Sequence, residues 1–509
     1  MKKLICIVLA ALLLTACGAE GVKNQKATAQ IRGKEVTYEK WEEIGLPTKG
    51  SYILTEDVEL EAAVTLTGDL DLHLDGHKIT AKSGVELGNM FVIPAGMTMT
   101  VYDAPGGADI VREYDSEDPD AKLEMPAGTI VSSDCYVGNV CVSSMFRVEG
   151  NLVIAGGHID ASPIVLEDAA NGLAAYVVSG GKLEVAGGVV TGGTSWSFVV
   201  PEEEGAERPY GYGGAVYVEK GAECLISGGV VWKGSAYRGG NIYVAGDEEG
   251  AGKLVITGGA LVGGEATERG GNALVAGIME MSDGILYCGT SYKYGGNIYL
   301  AGQLEMTGGV LEDGVADANK IGNGYGGNIM VNGLHAKVHI TDAELTGGRA
   351  PCKESHGGNI AVIGGGAESF LVENTEIYGG SGHRGGNVYI GSFNKDISLD
   401  NLDYTFTNVN MDGGLTTYRG ANLCADSKNP EKTISVTFNN CELAVEDYTE
   451  LNLAVGAGAK DVSFVNIVVN GGKLIEGDVH LYGSTTMVTN GVTFVESVVS
   501  GNGIHTENP

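Results

Sequence analysis

The sequence predicts an all-β fold, a parallel β-helix solenoid of about 13 coils with a short N-terminal cap helix. Three observations predict it. A glycine-rich phrase recurs along the chain, a second and strictly alternating phrase lies between its copies, and no window carries a sustained helical stripe.

The first phrase reads "YRGGNIYVAG" at Tyr237–Gly246, with close copies such as "ERGGNALVAG", "YKYGGNIYLAG", "GYGGNIMVNG" and "HRGGNVYIGS". Its third position falls on Ala215, Asn241, Asn272, Asn297, Asn328, Asn359, Asn387 and Asn422, at spacings of 25 to 35 residues. Fainter copies begin near residues 88, 143, 172, 450 and 476. A period that drifts over this range marks a solenoid. The second phrase, as in "KLVITGGALVGG" and "QLEMTGGVLEDG", alternates so that Leu254 and Ile256, or Leu304 and Met306, face one way. Cys224 stands where sister copies carry Leu183 and Leu254, which makes it a core thiol. Strands this short, separated by glycine corners, bury their apolar sides only by pairing each with its equivalent one coil on, about 4.8 Å away.

Each position of "GGNIYV" then has a role. The Gly pair turns the corner, where φ > 0 is needed and a Cβ has no room. Stacked Asn amides hydrogen-bond up the column. Ile242 and Val244 face the core, which puts the residue between them outside. This outward column is Tyr217, Tyr243, Leu274, Tyr299, Met330, Ala361, Tyr389 and Cys424; three residues before the anchor runs Tyr212, Arg238, Arg269, Tyr294, Tyr325, His356, Arg384 and Arg419. The candidate ligand-binding residues are Tyr212, Arg238, Tyr243, Arg269, Tyr294, Tyr299 and Tyr325, joined by Trp196 from a nearby loop. Aromatic and guanidinium columns also stabilise solenoid faces by stacking, worth about 0.5–1.5 kcal/mol per contact.

A solenoid needs closed ends. "TYEKWEEIGLP", Thr37 to Pro47, spaces Tyr38, Trp41 and Ile44 at three-residue steps and stops at a proline, which reads as the cap helix. Two insertions, near 103–133 and 194–212, interrupt the array, each ahead of a GGN-like strand and hence on one corner. The first crowds Asp115, Glu117, Asp118 and Asp120 together, a cluster that could hold Ca²⁺ although it lacks the spacing of an EF-hand loop. "GDLDLHLDGHKIT" sets Leu70, Leu72 and Leu74 inward and Asp69, Asp71, His73 and Asp75 outward, a second candidate cation site.

Composition bounds the function. The 509-residue chain is 43% hydrophobic with 82 glycines and 11 prolines, too apolar for disorder and too poor in proline for collagen. A net charge of −33 argues against nucleic acid or an anionic membrane as partner. Residues 1–17, "MKKLICIVLAALLLTAC", pair two lysines with an apolar run too short to span a bilayer, a secretion signal. The cysteines follow no metal-binding spacing, and only Cys135 and Cys141 lie close enough in sequence to suggest a bridge.

Two resemblances add to this reading. "LTAC" resembles the lipobox of bacterial lipoproteins, which implies lipidation of Cys17 and a place on the outer face of the bacterial membrane; residues 18–36, small and polar, read as a tether, and the repeats place a single solenoid domain over 37–509. The repeat grammar of residues 50 to 500 resembles the right-handed parallel β-helix, pectin-lyase-like superfamily, in particular Gly-rich adhesin-like surface proteins; "GGAV" at Gly213 is similar to the repeat of chlamydial polymorphic membrane proteins. This implies a right-handed coil and a non-catalytic, monomeric surface protein that binds glycans or cell-surface proteins. The same superfamily contains Ca²⁺-dependent polysaccharide lyases, so a lyase is the enzymatic alternative, and a structural spacer is the third. "NTE" at Asn374 and "GHR" at His383 only partly match the superfamily's hydrolase motifs, with Glu in place of Asp, so no catalytic residue is assigned.

Overall fold

The computed structural model describes residues 27–506, apart from 32–33, 42–44, 104–124, 134–141, 167–169, 196–210, 317–323, 334, 364–366, 393–402, 428–432, 446–450, 456–464, 477, 482–484, 497–498 and 502–503. Every regular element among them is a strand. One long sheet of 31 strands takes two strands from most coils, and a fifteen-stranded sheet takes one from each. The fifteen strands, from Val64–Thr65 to Val499–Gly501, pair in chain order and in parallel. The described residues thus form fifteen coils where the repeat count gave about 13. The two extra coils are the first and last, which carry no copy of the phrase, and the Asn ladder passes through only the seven coils from Asn241 to Asn422. At about 4.8 Å per step the stack is roughly 65–70 Å long.

Register follows the alignment of the phrases. Val216, Ile242, Ala273, Ile298, Ile329, Ile360, Val388 and Leu423 are successive partners, all buried. In the long sheet Leu183, Cys224 and Leu254 are in register, and the Cys224 side chain is fully buried. Burial pushes its thiol up to about 12, so it is inert packing. Cys224, Cys288, Cys352, Cys424 and Cys441 are all free thiols. Cys135 and Cys141 lie outside the described residues.

The N-terminal cap differs from the expected helix. Lys34–Lys40 is a strand, antiparallel to Ala27–Ile31 and parallel to Gly50–Ile53 of the first coil. A strand satisfies the open backbone groups of that coil, which a helix laid across them leaves unpaired. Tyr38 is fully buried against His73, its ring centroid 5.4 Å away, and Tyr102 covers the other side of His73 at 4.8 Å. The three-residue spacing misled because Trp41 lies beyond the strand, its indole N–H donating to the Gly45 carbonyl at 2.8 Å.

The insertions also leave from different corners. The first separates Thr98–Tyr102 from Thr129–Val131, both in the long sheet. The second follows Thr194–Ser195 of a short corner sheet, which continues through Ser235–Arg238, Glu265–Arg269 and Thr290–Ser291. A three-stranded corner sheet, Arg349–Ala350, Ser381–Arg384 and Leu415–Arg419, continues the same wall later in the chain.

Between the corner sheets and the fifteen-stranded sheet runs the asparagine ladder. The Nδ2 of Asn241 donates to Oδ1 of Asn272 at 2.8 Å, and the pattern repeats through Asn297, Asn328, Asn359, Asn387 and Asn422 at 2.7–2.8 Å. All seven are fully buried. Asn297 shows the local set. Its Oδ1 accepts from Asn272 and from the Gly289 N–H at 3.0 Å, and its Nδ2 donates to Asn328 and to the Glu312 carbonyl at 2.9 Å. Every polar atom of the amide is paired, as burial requires.

Substituting Asn297 with Ala removes all four hydrogen bonds and takes from the buried Gly289 N–H its acceptor, and a loss of about 3 kcal/mol or more is expected in denaturant unfolding. A glycine pair provides a second check. Gly84 and Gly295 both have positive φ, but a Cβ at Gly84 meets nothing within 4 Å, whereas one at Gly295 lies 2.2 Å from the Ile298 carbonyl oxygen. Gly84→Ala is expected to cost about 1 kcal/mol and Gly295→Ala clearly more, measured the same way; equal losses would contradict the crowded corner.

Candidate functional site

The glycine after each corner strand is left-handed, with φ of 65° at Gly239, 69° at Gly270, 68° at Gly295 and 64° at Gly385. That turn folds the corner strand's last residue back over the outer face of the fifteen-stranded sheet. The two columns expected from the sequence therefore touch, usually with a lean of one coil. Tyr212 meets Tyr243 at 4.8 Å between ring centroids, the Arg269 guanidinium lies 5.0 Å from the Tyr299 ring, and His356 lies 4.6 Å from Tyr389.

This changes the standing of the outward column. Leu274, Tyr299, Met330, Ala361, Tyr389 and Cys424 lie outside the coil interior yet are buried, as a second apolar cluster roofed by the corner residues. Tyr299 is 3% exposed and is thus mostly packing. Tyr212, Arg238, Tyr243, Arg269, Tyr294 and Tyr325 are half-buried and lie along one corner of the coils. Trp196 and the acidic cluster Asp115, Glu117, Asp118 and Asp120 lie outside the described residues, as does Cys17.

Ring geometry limits what this corner offers. Tyr176, Tyr217 and Tyr243 stack at 5.1 and 5.2 Å with interplanar angles of 10° and 3°. Their faces are used on one another, and the Tyr176 hydroxyl donates to Glu219, so little ring face is left for a ligand. Tyr176 belongs to a faint copy of the phrase and escaped the sequence reading; counting coils back from Tyr217 finds it.

Electrostatics set this corner apart from the rest of the chain. Four of nine arginines stand in this one column of a chain carrying −33. Arg238 Nε donates to Glu268 Oε2 at 2.6 Å, and Arg269 Nε approaches the same oxygen at 3.4 Å, so two guanidiniums share one carboxylate. Arg269 Nη1 also donates to the Tyr299 hydroxyl at 3.2 Å. Farther along, Arg384 pairs with Asp426 at 3.1 Å. These contacts hold the guanidinium planes in place and leave the Arg238–Arg269 pair with more positive than negative charge.

The other candidate cation site does not assemble. Leu70, Leu72 and Leu74 are buried as expected, but His73 is sandwiched between rings and burial depresses its pKa. Asp69 accepts the Thr98 N–H at 2.8 Å, and Asp71 accepts the Ser51 hydroxyl at 3.1 Å. Among the described residues no three His, Cys, Asp or Glu side chains converge to hold a metal ion.

Comparison with known protein families, curated proteins and solved structures finds no match.

His356 gives the corner column a pH signature. Burial first, then the Arg384 charge, lowers its pKa from 6.5 to about 3. The unfolded chain takes up this proton first, so stability is lost as pH falls from about 6.5 toward 3. His356→Phe removes this contribution: relative to wild type, the variant is expected to gain ground steadily between pH 7 and pH 4 in thermal melts. A gap that does not change with pH would contradict the buried neutral imidazole.

Proposed function

We propose that this protein is a non-catalytic β-helix lipoprotein of the bacterial cell surface, anchored through Cys17, that binds an extended glycan or a cell-surface protein along the corner column of Tyr and Arg. It is read as an adhesin-like member of the pectin-lyase-like superfamily, acting as a monomer. The observation that carries the reading is the half-buried column Tyr212, Arg238, Arg269, Tyr294 and Tyr325, one residue per coil, with two guanidiniums sharing one carboxylate. A column of hydroxyl and guanidinium donors repeating about every 4.8 Å suits a ligand that is itself extended and repetitive. Rigid elements hold these groups in place before binding, which lowers the ordering cost.

The test is a glycan array and whole-cell adhesion assay with the purified lipid-free chain, comparing wild type with an Arg238→Ala, Arg269→Ala double variant. At least a tenfold loss of binding is expected. Unchanged binding by the double variant, or no ligand for wild type, would leave the column as scaffold and the protein as a spacer. Anchoring has its own readout: palmitate labelling of membranes is expected to disappear in Cys17→Ser.

A further inference from the structure

Three of the seven exposed large hydrophobic side chains among the described residues fall on two neighbouring coils: Tyr378 at 38%, Leu415 at 56% and Tyr418 at 47% exposure. Tyr378 and Leu415 line one open trough of about 450 Å³, at the corner between the long sheet and the three-stranded corner sheet. Its floor is Gly379 and Gly413, both left-handed, at φ of 63° and 57°. Its rim is Glu376, Asn410 and Asp412. The Tyr378 hydroxyl donates to Glu344 on the preceding coil, which ties down the hydroxyl end of the ring. Back along its register column stand Thr346, Glu312, Tyr287, Val262 and Trp232, and ahead of it Asp412; Tyr287 and Trp232 are buried, so among the described residues Tyr378 is the exposed ring of this column.

We propose that this trough is a saccharide-binding site for neutral sugars, separate from the Arg–Tyr column and standing whether or not that column binds anything. The rim supplies two carboxylates and one amide to accept and donate hydrogen bonds, while the ring and Leu415 supply apolar surface for the C–H face of a sugar. No Lys, Arg or His lines it, so an anionic sugar meets only repulsion. Attraction of a cationic peptide to Glu376 and Asp412 is weakened, because both carboxylates are exposed to water and salt. Apolar contact with Tyr378 and Leu415 suffers no such screening, so it favours the neutral ligand. A trough with exposed apolar walls and a polar rim is the kind of surface that marks a ligand site on an otherwise charged protein.

The experiment is titration calorimetry on the lipid-free chain with neutral tetrasaccharides of glucose, xylose and N-acetylglucosamine, with tetralysine and tetragalacturonate as charged probes. Binding of at least one neutral tetrasaccharide is expected, changing less than twofold between 0.1 and 1 M salt. It should weaken at least tenfold in Tyr378→Ala and in Leu415→Ala, and persist in Tyr378→Phe and in Arg269→Ala. Both alanine changes are at exposed positions, and melting curves confirm that each variant is folded; Asp412→Asn serves as a third variant with the backbone undisturbed. The proposal is overturned if no neutral tetrasaccharide binds wild type, or if the alanine variants bind as wild type does. Salt-sensitive tetralysine binding that Asp412→Asn abolishes would also overturn it.

Discussion

The middle of this fold, seven coils from Asn241 to Asn422, is tied together by the buried asparagine ladder. The repeat length varies from 25 to 35 residues, yet successive ladder amides stay 2.7–2.8 Å apart. The variation is therefore absorbed elsewhere in each coil. The physical reason is the cost of an unpaired amide in a dry interior. Each Asn serves its neighbours above and below and backbone groups of its own coil, so displacing one coil by a residue would strand several polar groups together. Alternation already opposes a one-residue slip, which would turn the apolar face outward, but burial alone tolerates a two-residue slip far better, since Val, Ile and Leu are interchangeable along the core. Burial stabilises the stack, alternation sets which face points inward, and the ladder adds to the register of the seven coils it links.

The Arg–Tyr column is a consequence of the same corner. Asn can reach its partners only if the two preceding residues turn tightly, and glycine supplies that turn. The turn then brings the residue ahead of it back across the sheet's outer face, over Leu274, Tyr299, Met330 and Tyr389. A second apolar layer forms outside the coil, with Arg and Tyr as its roof. Long side chains suit this place because their stems or rings cover apolar surface while their polar ends stay wet. Scaffold and candidate surface are thus the same residues read from two sides.

Much of this was legible in the sequence. Alternation placed Ile242, Val244, Leu254 and Met306 in the core, and the aligned phrases gave the correct partner for Cys224 and the ladder itself. What alternation cannot give is what covers a face. Tyr299 and Tyr389 point outward by period and are nevertheless buried, because the covering residues come from a turn whose fold-back depends on φ rather than on pattern. The cap failed for a related reason: Tyr38 and Trp41 match a helical step, but the open edge of the first coil selects a strand. The trough beside Tyr378 could not be read at all, since the same column carries Trp232 and Tyr287 as well, and only exposure sets Tyr378 apart from them.

The ladder is tested most directly by hydrogen exchange of side-chain amides in asparagine-labelled protein. Two classes should separate. Asn241, Asn272, Asn297, Asn328, Asn359, Asn387 and Asn422 are buried, whereas Asn374, Asn408 and Asn440 form an exposed ladder at 2.9–3.0 Å on another corner. A buried ladder opens only with the coils around it, so its amides should exchange on the order of a hundredfold more slowly than the exposed set. Exchange at one common, fast rate would mean that the amides are not buried and that the ladder does not add to the register of these coils.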